Sequence, residues 1–208
     1  ISMAAIAVVA ILSWRGASAI GMSAPVSAAG VVRLHFEQLT IRTGDGEGEL
    51  VPRQEISLHD ITSRVQALVD RLGITHGTVS LISQHTTTAL TINEFESRLV
   101  DDVREFLFRL APPAHPYKHN DLHLRPASEA DFARIDRNWI SQGKGTLEEF
   151  VAQEPINAHA HLGAMVLGSS ETVPVANGRL CIGQWQSIIL VDLDGPRTRT
   201  VGVHVLGI

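Results

Sequence analysis

Ser83-Gln84-His85-Thr86-Thr87-Thr88 places an imidazole and a run of hydroxyls directly after the apolar stretch Thr78 to Ile82, and Asn93-Glu94 adds a carboxylate shortly afterwards. If Thr78 to Ile82 and Ala89 to Ile92 are strands, the histidine and threonines occupy their connection, where side chains can reach a cleft. An imidazole in such a place can move protons near neutral pH or ligate a metal, and hydroxyls can donate to an anion. A lone histidine beside β-branched residues also fits a satisfied strand end, so the chemical reading depends on the rest of the chain.

Three later segments support it: Tyr117-Lys118-His119-Asn120-Asp121, then Asn157-Ala158-His159-Ala160-His161-Leu162, then Gly183-Gln184-Trp185-Gln186 followed by Asp194-Gly195-Pro196-Arg197. In this order, with Leu167-Gly168-Ser169-Ser170 and Val173-Pro174-Val175 between them, the set resembles the YjbQ family, whose members are described as secondary thiamine-phosphate synthases. The likeness runs from about Val31 to Gly207. It implies a β-sandwich-like α+β domain, a homotrimer, a cytoplasmic setting and a modest activity on a phosphorylated small molecule. The family pattern has its histidine at the His161 position and does not generally require one at His159.

His85, His119 and His161 are the expected metal ligands, and with Glu94 the expected catalytic residues. Each histidine lies near the end of an element, and three neutral imidazoles suit zinc while leaving a position open for water or substrate. Magnesium is the alternative where the substrate carries pyrophosphate. His159 and His161 can chelate together only on an extended backbone, because on a helix residues two apart diverge by about 200°. Asp121 and His159 are the substitutes if the insertion between His119 and His161 displaces a ligand. Arg197, after a tight turn, can grip a phosphate with its planar fork, and Ser169 and Ser170 can add donors, although a hairpin with one exposed arginine fits as well. Thr86, Thr87 and Trp185 complete the expected substrate contacts. Glu94 can steer or accept a proton, or sit at a helix N-terminus as a dipole-stabilised carboxylate.

Joining a pyrimidine diphosphate to a thiazole phosphate needs anion binding and a stabilised leaving pyrophosphate more than a nucleophilic side chain. Two other readings use the same residues: a metal-dependent hydrolase that activates water, and a non-catalytic metal- or ligand-binding trimer.

The 208 residues suffice for one well-buried core, and no linker marks a second domain. With 17 basic against 22 acidic residues the net charge is -5, and no basic stripe with interleaved aromatics is present, which argues against nucleic acid. The single cysteine, Cys181, excludes an internal disulfide and a multi-cysteine zinc motif, and its apolar neighbours suggest a small core residue. Residues 1–29 have a targeting-like composition, an apolar run too short to span a bilayer followed by Trp14-Arg15 and small residues. A secretory signal, an organelle transit segment and a truncated or mispredicted start all fit; the segment is set apart from the fold and the compartment stays undecided.

From Val31 to Ile41 apolar residues recur with a period near two, through Val32, Leu34, Phe36, Leu39 and Ile41, which predicts a half-buried strand. Gly44 to Gly48 predicts a turn. Asp60 can cap an amphipathic helix through Ile61, Val65, Leu68, Val69 and Leu72 that stops at Gly73. A second amphipathic helix runs through Leu99, Val103, Phe106, Leu107 and Leu110 to Pro112-Pro113. Residues 124–155 form a longer link between histidine segments than the family pattern has, an insertion that lids the cleft or dresses the surface. Asp131 to Trp139 and Thr146 to Gln153 are its short helices, with Trp139 and Phe150 for packing. Asn177-Gly178 marks a hairpin turn, and Gln186 to Asp192 and Thr198 to Leu206 are the last strands. Many strands with two firm helices in irregular order indicate an α+β fold.

Overall fold

The computed structural model describes residues 31–44 and 56–208. The expected leader 1–29 and most of the expected turn 44–48 lie outside the described residues. Among the described residues eight strands form two antiparallel sheets. The larger has the order β1-β8-β3-β5-β6 and the smaller the order β2-β7-β4. These strands are β1 Arg33–Arg42, β2 Ser57–Asp60, β3 His76–Ser83, β4 Thr88–Glu94, β5 Ser170–Ala176, β6 Arg179–Leu180, β7 Gln186–Asp192 and β8 Thr198–Gly207.

The sheets face each other across a core in which Val79, Leu81, Val201 and Val203 from the larger meet Leu90, Ile188 and Leu190 from the smaller. Strand β7 is buried on both sides, because its alternate residues Ile189 and Val191 enter a second core with Leu107, Ala160, Ala164 and Leu193. That explains its unbroken apolar run, where a strand with one wet face would alternate. Helix α1, Thr62–Leu72, inserts Val65, Leu68 and Val69 into the first core. It ends at Gly73, whose φ of 62° suits a residue without Cβ. Asp60 accepts from the Thr62 N–H at 2.8 Å, so the expected capping contact is made from the residue before the formal N-cap, Ile61. Helices α2, Ser97–Leu110, and α5, Ala158–Leu167, contribute Leu107, Ala160 and Ala164 to the second core. The α+β sandwich with two long amphipathic helices is therefore the architecture of this chain.

Three expectations change. Leu39 and Ile41 are buried, but Leu34 and Phe36 are 71% and 54% exposed, because residues of opposite parity on one strand face opposite sides. Cys181 is exposed; the inward position at this sheet edge is taken by its neighbour Leu180. Glu96, not Glu94, caps α2, accepting from the N–H groups of Arg98 and Leu99 at 3.0 and 2.9 Å. The hairpin at Asn177-Gly178 is as expected, with φ of 51° and 74° at its two central residues.

The segment 124–155 carries α3, Glu129–Ile135, a π-helical turn at Asp136–Ile140, and α4, Leu147–Gln153. Trp139 and Phe150 pack edge to face at 5.7 Å, the packing role expected of them. Among the described residues no helix is long and apolar enough to cross a membrane.

Candidate functional site

A cleft of about 450 Å³ opens where the β3–β4 connection, the β7–β8 connection, the start of α5 and the ends of the 124–155 segment meet. The first histidine arrives from the β3–β4 turn. The Thr200 N–H on β8 donates to His85 Nε2 at 2.9 Å, so the neutral ring carries its proton on Nδ1 and can donate from that edge. Burial, and then the nearby Arg199 charge, hold the His85 pKa below its ordinary value. Thr86 and Thr87 line the cleft beside it.

The other two histidines meet through helix α5. Asn120 Oδ1 accepts from the Ala158 N–H at 3.1 Å, tying the Lys118–Asn120 turn to the first residue of α5. The rings of His119 and His161 then lie 4.9 Å apart, 74° from coplanar. Burial lowers both pKa values; next in weight are Arg125 for His119 and His119 itself for His161. Gly163 lets the helix approach this closely, since a Cβ there would fall 2.6 Å from Leu193 Cδ2. Because residues 158–167 are helical, His159 points away from His161, and the His-x-His chelate does not form. His159 is 4% exposed, with both ring nitrogens unpartnered among the described residues.

The cationic side of the cleft rests on a buried ion pair. Arg199 donates from Nε and Nη2 to the two oxygens of Asp192 at 2.9 and 2.6 Å, and from Nη2 to the Asp194 carbonyl at 2.9 Å. Thr43 Oγ1 donates to Asp192 at 2.5 Å and accepts from the Arg197 N–H at 2.9 Å. Arg199 is thus committed to structure. The Arg197 guanidinium, 46% exposed, touches Asp194 through Nη2 at 3.1 Å, and its other N–H groups have no partner among the described residues. Asp194 is held in turn by Asn157 Nδ2 at 2.8 Å.

His85, His119, His161, Thr86, Thr87 and Arg197 therefore share one cleft. The remaining expected residues do not join them. Glu94 ends β4 and lines a separate, largely apolar groove against α2. Ser169 and Ser170 are taken up by the sheet, the first accepting from Ser83 N–H at 2.8 Å and the second pairing with Ile82. Trp185 is 70% exposed in the β6–β7 link, away from the cleft lining. The three histidines also fall short of a ready metal cage. His85 Nε2 already accepts from the Thr200 N–H, and no three His, Cys, Asp or Glu side chains among the described residues are grouped to hold one ion. Sequence reading missed Arg125, Glu154 and Arg199, which line the cleft; the one available signal was the placement of Arg125 and Glu154 at the two ends of the insertion.

A family model described as "UPF0047 protein YjbQ-like" matches residues 47–208. The chain belongs to the YjbQ family. Within the family, a UPF0047 protein of Methanothermobacter thermautotrophicus is 34% identical over 176 residues, 85% of this chain and 94% of that protein. YugU of Bacillus subtilis is 32% identical over 148 residues, 71% of this chain and 88% of its own length. Among solved structures, a YjbQ-like protein of unknown function from Sulfolobus solfataricus shares 30% identity with a TM-score of 0.62, covering 86% of this chain and all of that one. A hypothetical protein of Aeropyrum pernix K1 shares 32% with a TM-score of 0.61, covering 84% and 99%. The sandwich that carries the YjbQ cleft in this chain is thus similar to experimentally solved folds.

Proposed function

We propose that the YjbQ cleft binds the phosphate end of a small molecule, and that the protein is a weak thiamine-phosphate-synthase-like transferase. The observation that carries the proposal is the partly free Arg197 guanidinium in the same cleft as the His85 Nδ1 edge and the Thr86 and Thr87 hydroxyls. A cationic fork flanked by neutral donors suits phosphate oxygens. In the reaction, the bond between the pyrimidine methylene and the diphosphate oxygen breaks, pyrophosphate leaves with the electron pair, and the thiazole nitrogen forms the new C–N bond. Arg197 stabilises the charge that develops on the leaving group. A divalent cation, magnesium or zinc, would enter with the pyrophosphate and would supply charge neutralisation to the leaving group, alongside Arg197.

The oligomer is proposed on a second observation. Leu34, Phe36, Ile82 and Leu206 lie together on the outer face of the larger sheet, between 42% and 71% exposed. The ladder pairs Leu34 with Leu206, and Ile82 with Gly202, against which Phe36 packs. A contiguous apolar patch of this kind marks a protein contact, and a homotrimer would cover it. Sedimentation equilibrium reads the mass directly.

Steady-state assays with both substrates test the reaction. Arg197→Ala is expected to raise the KM for the pyrophosphorylated substrate by about tenfold while leaving that of its partner nearly unchanged. Equal effects on both, or no wild-type turnover with magnesium or zinc, would remove the transferase reading. Release of free pyrophosphate without coupling would point to the hydrolase, and binding without turnover to the non-catalytic module.

A further inference from the structure

The segment that begins at Lys118 shapes a second cavity. It has a volume of about 460 Å³ and shares His119 and Arg125 with the main cleft, so the two meet at those side chains. Pro126, Ala127 and Ile135 give it an apolar floor; Arg125 is already paired with Glu154 at 2.8 Å, so Lys118 and Arg134 place two further cations around it against one carboxylate, Asp131. That carboxylate is weakly placed to cancel them. It accepts from the Ser128 hydroxyl at 2.7 Å and reaches Arg134 only across 3.8 Å, with the arginine and aspartate side chains 68% and 45% exposed. Lys118 is in no ion pair among the described residues. An apolar floor under an excess of positive charge is a seat for an organic anion, with the carbon skeleton on the floor and the charge at the rim.

We propose that this cavity is a second phosphate subsite. A ligand or ligand pair with two phosphorylated ends places one phosphate at Arg197 and the other at Lys118 and Arg134, with the intervening carbon groups passing His119 and Arg125. The inference rests on the reading of the main cleft as a phosphate site and adds that the 118–135 segment selects among phosphorylated ligands. Neither Lys118 nor Arg134 belongs to the proposed reaction, so their replacement isolates the subsite.

Calorimetric titrations of the full chain at pH 7.5 with hexyl phosphate and with propane-, hexane- and decane-diyl bisphosphates test it. At one chain length the bisphosphate is expected to bind about tenfold more tightly than the monophosphate, the effect of adding a charge-assisted contact. The Lys118→Ala/Arg134→Ala double variant, changed only at exposed positions, is expected to lose that advantage and keep its affinity for hexyl phosphate. Binding of hexyl phosphate with no bisphosphate advantage at any length overturns the subsite and leaves the main cleft standing. An advantage that survives in the double variant also overturns it. No detectable binding of either ligand overturns both readings together.

Discussion

Of the arginine–carboxylate pairs at the cleft, two are built differently. Arg199 and Asp192, 4% and 0% exposed, meet through two parallel hydrogen bonds, and the remaining oxygen capacity of Asp192 is taken by Thr43 and the Asp194 N–H. Arg125 and Glu154, 24% and 21% exposed, meet at a contact of 2.8 Å and tie together the two ends of the 124–155 segment. The first pair fixes the wall from which His85 and Arg197 project. The second holds the wall that carries His119. The buried atoms without partners among the described residues sort the same way: Trp139 Nε1, Asn157 Oδ1 and both His159 nitrogens belong to the helical wall, the hinge into α5 or α5 itself. A cleft so made has one side with its polar groups satisfied and one side with polar groups still to satisfy, which is where a ligand can do most to order the chain.

The comparison breaks most sharply at Asp192. Asp192→Ala leaves the Arg199 guanidinium buried without its partner, and losing one member of a buried pair costs about 3–5 kcal/mol. Urea denaturation should show that loss as a lower midpoint with little change in slope. A loss under about 1 kcal/mol would mean that water reaches Arg199 and that the sheet wall is no firmer than the other.

Part of this contrast was legible in the sequence. The strands around His85, the αL stop at Gly73 and the Asn177-Gly178 hairpin follow from local rules of periodicity and turn chemistry, and they stand in the structure. The gathering of His85, His119 and His161 into one cleft was also anticipated. What escaped depends on partners distant in the chain. Thr200 donates to a ring 115 residues away, which decides the His85 tautomer, and Thr43 reaches Asp192 across 149 residues. Ser169-Ser170 and Glu94 looked chemical because of their residue types; sheet register, which no local pattern fixes, turned them to structural or separate positions. The two parities of β1 read as one face only when Val32, Leu34 and Phe36 are grouped with Leu39 and Ile41.

A second, smaller effect sharpens the helical side. Burial lowers the pKa values of His59, His85, His119, His159 and His161, with Asp194 pulling the His159 value the other way. As pH falls through the ordinary imidazole value of about 6.5, the unfolded chain takes up protons before the folded one, so stability is lost below that point and regained on returning above it. Thermal melts at pH 7.5 and 5.5 should show the lower Tm at the acid end. His159→Leu removes two buried nitrogens that lack partners, so it should raise stability at pH 7.5 by about 1 kcal/mol and reduce the acid loss. A destabilised variant with an unchanged pH slope would place a hidden partner at His159.

The smallest change in stability is expected at Glu154, and there the informative readout is binding. Its pair with Arg125 is partly solvated, and such pairs contribute about 0–1 kcal/mol, so Glu154→Gln should leave the denaturation midpoint almost unmoved. The same carboxylate lines the cleft that Arg197 lines, where its charge opposes an incoming anion and occupies the Arg125 guanidinium. Removing the charge frees one cation and deletes one repulsion without touching the sheet wall. Pyrophosphate affinity should therefore rise by about three- to fivefold, the equivalent of a surface pair's free energy, and the gain should shrink as salt is added. An unchanged affinity would mean that Arg125 does not face the bound anion, and the difference between the two walls would then concern folding alone. A weaker affinity would give Glu154 the opposite role, that of holding Arg125 in place as the wall closes over the ligand.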